Sequence, residues 1–82
     1  MDFLEKIEAI KKKLREISRE DLAEQLLDLQ LSGGTGGEVL TSVCARLLKF
    51  ELAESDVYKE IKGEASELIG YANSIGYRPH PY

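Results

Sequence analysis

The chain has too little cysteine for an internal disulfide: Cys44 is the only one, which fits a reducing compartment. It lies in the most apolar stretch of the sequence, where a small core residue is expected rather than a nucleophile. Histidine is equally scarce. His80 stands alone, with no cysteine or carboxylate beside it in sequence to build a metal site or a catalytic pair. No apolar run approaches the roughly 20 residues that span a bilayer. Asp2, Glu5 and Glu8 occupy the first ten residues, where a signal peptide has a basic start and an apolar middle. The expectation is a cytoplasmic protein with no membrane partner. Repeats, low-complexity tracts and alternating strand patterns are also missing. With no clustered nucleophile, base, metal ligands or cofactor motif, the chain reads as a non-enzyme without a cofactor.

What is present is charge and helical periodicity. At 82 residues there is room for one domain, and a chain of this size buries only about 60% of its unfolded surface. Apolar residues make up 43% and charged residues 32%, a globular composition. The net charge of −4 is uneven: residues 1–19 hold six basic and four acidic groups (+2), residues 20–82 five and eleven (−6). Most of the chain is therefore acidic, which argues against a dominant nucleic-acid or anionic-membrane role.

Four helices follow from spacing. Asp2 is an N-cap candidate, and Phe3, Ile7, Ile10, Leu14 and Ile17 form one apolar stripe ending near Ile17. Asp2 with Lys6, Glu8 with Lys12 and Lys12 with Glu16 are spaced to pair along this helix. Ser18 followed by Asp21 reads as the next N-cap. The second helix carries Leu22, Leu26 and Leu29, widened by Ala23, Leu27 and Leu31, and stops at Ser32-Gly33. Gly33, Gly34, Thr35, Gly36 and Gly37 then lead into a helix that is apolar nearly all round and ends near Ala53. Thr35 and Glu38 have the spacing of a capping box at its start. Such a helix is expected at the centre, with the others around it.

Ser55 or Asp56 caps the last helix, whose buried face is Val57, Ile61, Ala65, Leu68, Ala72 and Ile75. Gly63 and Gly70 lie nearly in line on it, marking either tolerated surface or a close approach by a neighbour. Gly76 is placed as a left-handed C′ residue. The prolines at 79 and 81 prevent further helix. The expected fold is all-α: a compact antiparallel four-helix bundle over residues 1–76, with an extended Pro/Tyr tail over 77–82.

Two acidic stripes are the main functional lead. Glu20, Glu24 and Asp28 are spaced four apart on the second helix, and Asp56, Glu60, Glu64 and Glu67 do much the same on the fourth. Like charges at this spacing destabilise a helix. Their repetition points either to a surface that docks on a basic partner or to solvated faces that keep the chain in solution, and stripes on adjacent helices would merge into one patch. The glycine loop could offer free amides to an anion, but it has no lysine or arginine beside it and Glu38 puts a negative charge there. A close backbone contact or a plain connector are its other readings. Tyr77 and Tyr82, with Arg78 and His80, could anchor an interface or fold back over the end of the bundle.

The sequence thus points to a small acidic protein-binding module acting on another, basic protein, as an inhibitor, an immunity or antitoxin-type antagonist, or an adaptor. The alternative is nucleic-acid binding. Here Lys11, Lys12, Lys13, Arg15 and Arg19 would meet phosphates while Thr41, Ser42, Arg46 and Lys49 face a groove. A bundle this small can also complete its core as a homodimer.

Overall fold

The computed structural model describes residues 2–32 and 34–76, folded into α1 (Phe3–Glu16), α2 (Glu20–Ser32), α3 (Gly36–Ala53) and α4 (Ser55–Ser74). Each helix packs on those before and after it in the chain, and α4 closes the ring against α1. Neighbours joined by such short connections run antiparallel, so the molecule is an all-α four-helix bundle. This corrects the expectation of a central helix. The core runs between the four helices, with α1 diagonal to α3 and α2 diagonal to α4.

Helix α3 still buries the most side chains, among them Leu40, Val43, Cys44, Leu47 and Phe50, but Leu52 on its outer side is 75% exposed. Leu31, expected to widen the buried face of α2, is also 75% exposed, and Ile75 is 47% exposed just past the end of α4. Ile7, Ile10 and Leu14 of α1 meet Leu26 of α2 and Ile61 and Leu68 of α4 in one continuous core.

The start of α1 follows its sequence: the Asp2 carboxylate accepts from the amides of Leu4 at 3.0 Å and Glu5 at 3.4 Å. Its end does not. Ser18 is not the N-cap of α2; it has a φ of 63° and occupies the left-handed position that reverses the chain. The Arg19 amide donates to the Leu14 carbonyl at 2.8 Å and the Ser18 amide to the Arg15 carbonyl at 3.0 Å, the paired bonds of a Schellman motif. A left-handed L-residue is strained where glycine is not. Ser18→Gly should therefore raise stability by about 0.5–1 kcal/mol, read as a higher urea midpoint at unchanged slope.

The joint between α3 and α4 is a single residue. Glu54 donates its amide to the Phe50 carbonyl at 2.7 Å and accepts the Tyr58 amide at 2.8 Å, ending one helix and starting the next. Ser55 is already helical, so neither it nor Asp56 is the cap, and Glu54 makes no side-chain cap of its own. Its carboxylate instead takes Arg19, at 3.1 and 3.4 Å. The same guanidinium holds Asp21 at 3.1 Å through two bonds, so one arginine ties the α1–α2 turn to the α3–α4 turn.

Candidate docking surface

The two acidic stripes lie on diagonal helices and do not merge. Their surroundings differ. On α4, Glu64 is held by Lys13 of α1 at 2.9 Å and Glu67 by Lys6 of α1. Glu60 is exposed beside a shallow hollow that also contains Lys13, Glu16 and Ile17. Glu64 and Glu67 thus answer the surplus positive charge of α1, while Asp56 lies 3.9 Å from Lys59 of its own helix. On α2, Glu20, Glu24 and Asp28 are all exposed, and among the described residues no ion pair involves them.

Within α1 the expected pairs Asp2–Lys6, Glu8–Lys12 and Lys12–Glu16 give way to others. Asp2 caps the helix, Lys6 crosses to α4, and Glu8 takes Lys11 at 2.6 Å. Lys11 is buried, with its side chain 4% exposed, and its ammonium also donates to Gln30 of α2 at 2.7 Å. A buried ammonium is tolerable only when its hydrogens are satisfied. The clue in the sequence is that Lys11 lies four residues past Ile7, on the edge of the apolar stripe.

Of the basic cluster, Lys11, Lys13 and Arg19 are engaged inside the chain, while Lys12 and Arg15 are exposed. Arg19 and Glu54 were not legible as a pair, because each belongs to a different turn.

These contacts shift proton affinities. The Lys13 hydrogen bond pulls the Glu64 carboxyl below its ordinary 4.5 against the opposing effect of burial, and Lys11 does the same for Glu8. A carboxyl with a lower pKa folded than unfolded stabilises the fold above the unfolded value and stops doing so as pH falls through the folded one. Thermal stability should accordingly decline as pH drops below about 4.5, and Glu64→Gln should flatten that decline.

The seam between α2 and α3 is the most open. Leu29, Ser42, Ala45, Arg46 and Lys49 line a hollow of about 150 Å³. A second, formed in part by Leu22, Gln25, Phe50 and Ala53, continues it toward Glu54, and a third, beside Thr41 and Glu38, continues it toward the glycine loop. These two hollows measure about 250 and 360 Å³, and the three run end to end along the open seam, so they form a groove for a surface rather than an enclosed small-molecule pocket. The Arg46 guanidinium donates to the neutral Gln25 amide oxygen at 2.9 Å.

At the start of α3 the Thr35 hydroxyl accepts from the Glu38 amide at 3.2 Å, as its spacing predicts. The Glu38 carboxylate folds back over Gly34, where a Cβ would come within 2.8 Å of it, so the chain's own acid stands where an anion would bind. A Cβ added at Gly36 would meet the Phe3 ring at 3.6 Å, an ordinary contact rather than a close backbone approach, and the Gly37 carbonyl accepts from the Thr41 hydroxyl at 2.9 Å. Only Gly33 of this loop lies outside the described residues, as do Tyr77, Arg78, His80 and Tyr82 of the tail.

Burial pushes the Cys44 thiol up to about 12, which leaves it inert at neutral pH. Among the described residues no group of carboxylates, cysteines or histidines is arranged to hold a metal, and no helix is long and apolar enough to cross a membrane. Comparison with known proteins returned no match to a family model, a curated protein or a solved structure.

Proposed function

We propose that the protein is a cytoplasmic, non-enzymatic binding module that docks the outer face of α2 on a basic protein and works by occlusion, as an inhibitor, an immunity- or antitoxin-type antagonist or an adaptor does. One observation carries this reading: Glu64 and Glu67 are answered by Lys13 and Lys6, so that only Glu60 of the α4 stripe is without an ion pair among the described residues, whereas all three of Glu20, Glu24 and Asp28 are exposed with no cation of the described chain against them. Leu31, exposed on the same helix, supplies an apolar contact beside the charges. The nucleic-acid reading is weaker, because Lys11, Lys13 and Arg19 are engaged within the chain.

The test is capture of basic proteins from a lysate across a salt series. It compares the wild type with Glu20→Lys/Glu24→Lys/Asp28→Lys and with a control of equal charge change, Glu5→Lys/Glu16→Lys/Asp56→Lys. Capture that weakens with salt and is lost only in the α2 variant supports the reading. Equal loss in both variants reduces it to a net-charge effect and overturns it.

A further inference from the structure

We propose that the groove along the α2–α3 seam is filled by a second copy of this chain, with α2 of each copy lying over α3 of the other about a two-fold axis parallel to the helices. This rests on the reading of α2 as an acidic docking face and supplies the cations it meets from α3 of the second copy.

The argument starts from charges that the bundle leaves unanswered. Across the α1–α4 seam, Lys6 and Lys13 each meet a carboxylate. Across the α2–α3 seam, Arg46 meets only neutral Gln25, and Lys49 forms no ion pair with any described residue. Both cations border a floor built by Leu22, Leu29 and Ala45. Cationic stems over apolar surface complement a helix that brings carboxylates to the edges of the groove.

The same chain carries that helix. Glu24 and Asp28 are exposed on α2, next in sequence to Gln25 and Leu29, which line the groove. Arg46 bonds to Gln25, which stands between Glu24 and Asp28 in the helix, so both acids lie within about one turn of Arg46 along the bundle, with Lys49 displaced toward the Glu24 end. A two-fold axis parallel to the helices preserves height and exchanges α2 with α3. It sets Glu24 and Asp28 of each copy against Arg46 and Lys49 of the other, forming the contact twice, as an isologous interface requires. An axis across the helices would lay α2 on α2, acid against acid, at a cost from like-charge juxtaposition. Charge complementarity therefore selects both the partner and the direction of the axis.

Sedimentation of the full chain over a concentration series, at low and high salt, tests the proposal. Three species are compared after circular dichroism shows each to be helical: the wild type, Glu24→Lys/Asp28→Lys, and Arg46→Glu/Lys49→Glu. The wild type is expected to dimerise at low salt and dissociate as salt rises, and each reversal to weaken the dimer by about tenfold or more. An equimolar mixture of the two variants is then expected to recover a 1:1 dimer, because every contact regains an opposite charge.

A wild type that stays monomeric overturns the proposal, and so does a dimer indifferent to both reversals or a pair of variants that fails to recombine. A monomeric wild type that still captures a basic protein through α2 overturns only the self-association and leaves the docking reading standing.

Discussion

Leu47→Ala lowers stability by about 2–5 kcal/mol, whereas Leu52→Ala, five residues on in the same helix, changes it by less than about 0.5 kcal/mol. Leu47 has no exposed surface and lies in the core shared by all four helices; truncating it removes buried contacts and leaves a cavity that the ring of helices can only partly close. Leu52 is three-quarters exposed, so its truncation removes almost nothing from the interior. Chemical denaturation of the two variants measures the contrast. Similar losses would restore the picture of α3 as a helix packed on every side.

Gly63→Ala together with Gly70→Ala raises stability by about 1–2 kcal/mol, a gain of roughly 4–8 °C in melting temperature per kcal/mol for a domain of this size. Both glycines lie within α4, both are exposed, and a Cβ added at either meets nothing within 4 Å. Alanine restrains the unfolded chain and shields the helix backbone at no steric cost. A loss of stability, or gains far below this range, would show that the open space at these positions is not open. The contrast with Gly76 is useful: its φ of +91° makes any side chain there strained.

The helices themselves were legible because their signals are local. The stripe from Phe3 to Ile17 and the caps at Asp2 and Thr35 depend on residues within a few positions of one another, and all appear in the fold. Ser18 was misread for an equally physical reason. Ser-x-x-Asp has the spacing of a helix start, but the turn needs a left-handed residue there, and Asp21 turns to Arg19 instead. The acidic stripes were visible as patterns, yet the distinction between them was not, because the lysine that answers Glu64 lies 51 residues away on another helix. Leu31 and Leu52 fit the apolar periodicity of their helices, and only the placement of neighbours shows which leucines are left outside.

The single-residue joint at Glu54 also decides where this fold can change length. One extra residue there would turn α4 by about 100° about its axis, carrying Val57, Ile61 and Leu68 out of the core and drawing Glu54 away from Arg19. No slack exists on either side, since α3 ends at Ala53 and α4 begins at Ser55. The glycine-bearing connection before α3 joins helices that meet along the most open seam, so an added residue there can be taken up without rotating either one. Insertions and deletions in this architecture should therefore gather between α2 and α3, while the spacing from Phe50 to Tyr58 stays constant.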